Sequence, residues 1–262
     1  MCDTNLRLLT LLFLLGAEAL PAQPGWLSNK SDFIAADDLP TQLATSLIQS
    51  GARMMSADKA QITVAGSITD PKGTRPAAFT IQSPGYVVYR EGTDKAVGFD
   101  GNGLKSKNGA ANSSDDALLE SLLAHFPDMV FLQVASGGTL RRIGSHFRAD
   151  GSTGPNYGGP YWTVFAFSPR RRNGLAVGKA LQQEMFIALD ESTGLVAEVR
   201  MVVSTGARQQ QVTQTQFSNW RQQAGQWFPG KIVRMENGKQ TLSFQVQSAA
   251  VGSALPVTAF IP

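Results

Sequence analysis

The chain has 262 residues, of which 42% are apolar and only 16% charged, and its 23 basic residues outnumber its 20 acidic ones by three. Basic residues are dense only in the run RRR at 170–172 and are not interleaved with stacking aromatics, which excludes a nucleic-acid module; that run reads as a solvated loop. A charged fraction well under the usual quarter or so, with abundant Gly, Ser, Thr and Gln, is the composition of an exported β-rich protein.

At the N-terminus Arg7 precedes the short apolar stretch LLTLLFLLGAEAL, and small residues follow at Ala17, Ala19 and Ala22. This is the pattern of a secretory signal peptide over 1–22, with cleavage after Ala19 or Ala22. Glu18 interrupts the run too early for a persuasive membrane span, and an uncleaved anchor is the alternative. The single cysteine, Cys2, lies ahead of the apolar run, so the processed chain has no thiol for a disulfide, a nucleophile or a metal. Residues 23–36 read as a flexible lead-in, and 37–262 as one domain.

Leu39, Leu43, Leu47 and Met54 recur at helical spacing behind Asp38, a plausible N-cap, and Pro40. The period then changes to two in ITVAGSITD, AAFTIQSPGYVVYRE and KAVGFDGNGLKSK, with DPKG and DGNG as turns, which predicts an antiparallel meander. A second helix is expected in SSDDALLESLLAHFPDM, capped by Ser113 or Ser114, favoured by Asp115 and Asp116, and stopped by Pro127. Its apolar stripe is Leu118, Leu119, Leu122, Leu123 and Phe126. Around 135–183 the chain is rich in Gly and turns, consistent with a long excursion or an irregular hairpin.

Strands return in QEMFIALDESTGLVAEVRMVVS, where Met185, Ile187 and Leu189 precede the turn and Leu195, Ala197, Val199, Met201 and Val203 follow it. A more polar strand, QQQVTQTQFSNWRQ, comes next. Near the end, Asn237-Gly238 marks a type I′ hairpin, because both central residues of that turn need positive φ. A two-residue turn places Glu236 opposite Lys239, Met235 opposite Gln240, Arg234 opposite Thr241 and Val233 opposite Leu242. Alternation then puts Val233, Met235, Leu242, Phe244 and Val246 on one dry face.

Catalytic signatures are lacking. There is no nucleophile elbow, P-loop or dinucleotide fingerprint, and GFDGNG is a strand turn with no helix after it. His125 and His146, without carboxylates at ligand spacing, make no metal site and read as structural or surface residues. A non-enzymatic protein with no cofactor and no metal is expected.

In segment order the chain resembles the bacterial lipoprotein carrier family, LolA, and its wider superfamily of lipid-binding relatives. The likeness rests on the early helix leading to ITVAGSI, on FTIQSPGYVVYRE followed by VGFDGNGLKS, and on IALDESTGLVAEVRM. Most specific is the closing block FSNWRQQAGQWFPGKIVRMENGKQTLSFQVQSAAVGSALPVTAFIP. It leaves out much of 135–183, which would be an insertion. The resemblance implies an α+β fold, a strongly curved antiparallel half-barrel with helices covering its concave side. It implies a periplasmic or secreted carrier of a lipid or an acylated protein, with an apolar cavity walled by Val233, Met235, Leu242, Phe244, Val246, Ile187 and Leu189. Leu118, Leu122 and Phe126 would belong to a lid helix. The alternative is an envelope protein-interaction or sensor module on the same curved sheet.

Overall fold

Period-two alternation builds most of the molecule, and the long ladders it forms need few helices to bury one face. The structure, a computed structural model, describes residues 39–50, 60–82, 86–92, 95–99, 104–107, 119, 125–135, 138–148, 160–169, 182–204, 210–223 and 226–261. The expected signal peptide and lead-in, Met54, the DGNG turn, the RRR run, and Leu118, Leu122 and Leu123 fall outside these residues.

Helix α1 (Leu39–Gln49) is followed by strands β1 (Ala60–Asp70), β2 (Gly73–Gln82), β3 (Tyr86–Glu91), β4 (Lys95–Phe99) and β5 (Leu104–Lys107). Helix α2 (Pro127–Ala135) leads to β6 (Gly138–Arg148), β7 (Tyr161–Pro169), β8 (Gln182–Asp190), β9 (Val196–Ser204) and β10 (Gln210–Ser218). A small pair, β11 (Arg221–Gln223) and β12 (Gln226–Phe228), precedes β13 (Lys231–Glu236) and β14 (Lys239–Ser253). A 3₁₀ turn, Val257–Phe260, ends the described chain.

One 12-stranded sheet has the order β5-β4-β3-β2-β1-β14-β13-β10-β9-β8-β7-β6, with antiparallel neighbours. It consists of two sequential meanders, β1 to β5 and β6 to β10, joined by the hairpin β13–β14. Within the span 135–183, β6 and β7 pair with each other and extend the sheet to one edge.

Two turns form as their sequences dictate. DPKG joins β1 to β2: Asp70 Oδ1 accepts the Lys72 N–H at 2.8 Å, and Gly73 takes φ 109°. Asn237 and Gly238 have φ 48° and 79°, as a type I′ turn requires.

The expected hairpin register holds only beside that turn. Glu236 pairs with Lys239 and Met235 with Gln240, but a bulge between Arg234 and Met235 then sets Arg234 opposite Leu242, Val233 opposite Ser243 and Ile232 opposite Phe244. An extra residue on one strand exchanges faces for everything beyond it. Ile232 and Arg234 therefore share the dry face with Leu242, Phe244 and Val246, and all five are buried. Val233 and Met235 lie on the other face and are only partly buried.

The helical turn at His125 ends at Phe126, just ahead of Pro127 as expected. Pro127 also opens a further helix, α2, because its fixed φ and missing N–H suit a first helical position. Leu119 of the expected stripe is helical and buried.

Buried apolar residues fall into two clusters on opposite faces. The larger unites sheet residues from both meanders and the hairpin with helical Leu43, Leu47, Leu119 and Val130, and with Phe126 just ahead of α2. The smaller, on the reverse of β6 to β9, gathers Ile143, Phe147, Trp162, Val164, Phe186 and Val202 with two alanines.

Candidate functional site

Two features frame the candidate site: the buried apolar sheet face beneath the helices, and a cleft at one end of the strands. The first is assembled by register. Phe165 opposes Ile187, Ile187 opposes Val199, and Phe244 lies between Ile232 and Ile68. Ile187, Leu189, Leu242, Phe244, Val246 and Phe126 all belong to the same buried cluster. Phe126 is its aromatic hub, with ring centroids 6.4 Å from Phe79, 6.1 Å from Phe217 and 5.7 Å from Phe228. Phe79 in turn meets Phe244 edge-on at 5.1 Å. These T-shaped and tilted pairs favour a defined position for the segment leading into α2 against both meanders.

A polar spot interrupts this apolar field. Arg234 is the largest of the fully buried side chains, and its Nη2 donates to Glu236 Oε1 at 2.9 Å. Thr215 lies opposite Arg234 on β10, and its hydroxyl bonds His125 Nδ1 at 2.8 Å. His125 is fully buried and its Nε2 has no hydrogen-bond partner. Burial, helped by the nearby Arg234 charge, lowers the imidazole pKa to about 3, so the ring is neutral. The bulge beside Arg234 hid this group, because without it Arg234 belongs to the wet face.

His146 is placed differently. Its φ is 58°, its side chain is largely exposed, and Nδ1 lies 2.8 Å from Glu191 Oε2. Among the described residues no three His, Cys, Asp or Glu side chains gather as a metal site, and no helix is long and apolar enough to cross a membrane.

On the reverse face, Glu198 and Arg200 form a buried ion pair at 2.6 Å. Glu198 Oε2 also accepts from the side-chain amides of Gln214 and Gln216 at 3.2 and 3.0 Å. These extra bonds satisfy the carboxylate that burial would otherwise penalise.

The cleft has a volume of about 820 Å³ and opens between the end of α1, the β8–β9 turn and the β11–β12 pair. Trp162, Trp220 and Trp227 line it together with Phe217 and Leu195, and side-chain amides and hydroxyls alternate with them. Val233 is the one expected cavity residue among its walls. Trp220 and Trp227 lie seven residues apart in the closing block, and Trp162 joins them from β7, a distant segment.

No protein-family model matches the chain, and no curated protein matches it. Among solved structures, a LolA superfamily protein from Nitrosomonas europaea has a TM-score of 0.50 at 10% identity, covering 84% of this chain and 97% of that one. A DUF1329 family protein from Desulfovibrio piger gives a TM-score of 0.49 at 11% identity, covering 84% of this chain and 95% of that one. At such identities the likeness concerns architecture alone, and the first structure carries it.

Proposed function

We propose that this chain, which has a LolA-like fold, is an exported, non-catalytic carrier that shields an acyl chain between its helices and its sheet. The observation that carries the reading is the single apolar field shared by strands of both meanders, α1 and the Leu119–Phe126 segment. In this reading 1–22 is removed on export, 37–262 forms one half-barrel domain, and the helices cover its concave face.

Such a carrier needs no covalent step. Removing an acyl chain from water is favourable by roughly 0.8 kcal/mol per CH₂, so a dry face and a cover that yields are sufficient. Leu242, Phe244, Val246, Ile187 and Leu189 are the wall in this reading, with Ile232 in the position first given to Val233. Phe126 would move with the helical cover, exchanging its aromatic contacts for those of the ligand. The ligand would be a lipid or an acylated protein in the periplasm or outside the cell.

A second reading, an envelope protein-interaction or sensor module, draws support from the complete burial of the inner side chains. It is also favoured by exposed apolar Val251, Leu255, Val257 and Ile261 near the end of the described chain.

Native mass spectrometry of the protein exported and purified without detergent, with an organic extract, separates the two. The carrier predicts a stoichiometric acyl adduct, or uptake of added fatty acid or phospholipid. Phe244→Asp should abolish retention, and Val246→Phe, which stays apolar but fills space, should weaken it while circular dichroism stays native. An apo mass with no uptake, or full retention by both folded variants, excludes this wall as a lipid site.

A further inference from the structure

We propose that the cleft at the strand ends is a binding site for a neutral oligosaccharide, beside the apolar field under the helices, with which it shares Phe217. Of the chain's four tryptophans, three line this cleft. Trp162 is buried, whereas Trp227 is 39% exposed despite its large apolar surface. Trp220 is half-buried and braced by Phe217, ring centroids 6.2 Å apart. Trp220 directly precedes β11 and Trp227 lies in β12, where Gln222 opposes it.

Beyond the tryptophans the lining mixes apolar Pro160, Leu195, Ala197, Phe217 and Val233 with amides and hydroxyls, and it is close to charge balance. Asp190 and Lys231 are the charged residues among the described walls, and Asp190 Oδ1 is already engaged by Ser192 and Thr193 of its own turn. Gln49 and Asn219 are exposed walls whose side-chain amides make no hydrogen bond among the described residues. Gln216 gives its N–H to Glu198 and keeps its amide oxygen.

Asn219 is held there by an unusual backbone. Its φ is 55°, a conformation uncommon outside glycine, and its carbonyl accepts the Gly230 N–H at 3.0 Å. A Cβ on residue 230 would lie 2.5 Å from that carbonyl oxygen, so glycine is needed for the approach. Outliers of this kind cluster where a side chain has to be aimed.

Ligand chemistry follows from the lining. An acyl chain would strip water from unbonded amides without replacing their partners, and an ionic ligand would find little net charge. A sugar has C–H faces that suit the electron-rich faces of indole rings, and hydroxyl edges that both donate to and accept from amides. The cleft also falls within the ~300–1,000 Å³ typical of small-ligand sites.

The test is intrinsic tryptophan fluorescence and calorimetry on the full exported protein, titrated with short cello-, malto- and chito-oligosaccharides and, separately, with a proline-rich peptide. At least one sugar series should give a saturable signal. Trp227→Ala should weaken that binding about tenfold or more, as loss of an aromatic anchor does. Asn219→Gly, which accepts the positive φ and removes only the amide, should weaken it without lowering the melting temperature. Acyl uptake should be unchanged in both variants. Absence of saturation by every sugar, unchanged affinity in both variants, or saturation by the peptide alone would overturn the assignment.

Discussion

His125 shows how much a single buried ring can tie stability to pH. Its imidazole pKa of about 3 in the folded chain compares with about 6.5 in an unfolded one. The unfolded state therefore binds the extra proton first as pH falls, and stability present above about pH 6.5 is lost progressively toward pH 3. Urea midpoints of the native protein should drop between pH 7 and pH 4, and His125→Asn should remove part of that drop; identical pH profiles would contradict a buried neutral ring. The groups facing His125 include Thr215 and Arg234, and neither was legible as its neighbour. Thr215 sits in a strand whose sequence looks mostly polar, and Arg234 looks like a surface alternation partner until a bulge reverses it.

At the scale of elements, alternation and turn chemistry were readable, and departures from regular pairing were not. DPKG and Asn237-Gly238 each specify a local conformation with their own atoms, so both turns were legible. A bulge depends on how two strands fit, which neither strand encodes alone. The same holds for β1, where the ladder to β14 slips between Ala65 and Gly66. A Cβ at residue 66 would sit 2.1 Å from the Gln245 carbonyl oxygen and 2.8 Å from Phe244 Cε1. Gly66→Ala should cost about 2 kcal/mol or more and lower amide protection in β1 and β14 together; an unchanged denaturation midpoint would show that the ladder yields locally. Helix α2 was missed for a related reason. Pro127 has the same sequence appearance whether it ends one helix or begins another.

For the whole molecule, the sheet is open, with β5 and β6 as its terminal strands, and the apolar face and the strand-end cleft differ in chemistry. In the two proposals, the larger apolar cluster under the helices takes a chain of CH₂ groups and the tryptophan cleft takes a ligand with polar edges. If the carrier reading holds, a ligand that binds only the folded form at about 100 times its Kd adds about 2.7 kcal/mol, which raises the melting temperature by several degrees. Added phospholipid or fatty acid that leaves the transition unmoved would count against it. The architecture was legible through the closing block of the sequence, and the cleft was not, because Trp162 meets Trp220 and Trp227 only after the strands align.

The central position of the β13–β14 pair also sets an order of assembly. A ribosome releases both meanders before it releases the strands that join β1 to β10, so each waits with an unpaired edge for the last part of the chain. Long-range pairing of that kind is slow, and exposed edges invite association with other chains. A protein wired this way stays pliable through most of its synthesis, and the interval before closure is the period when a holding chaperone matters most.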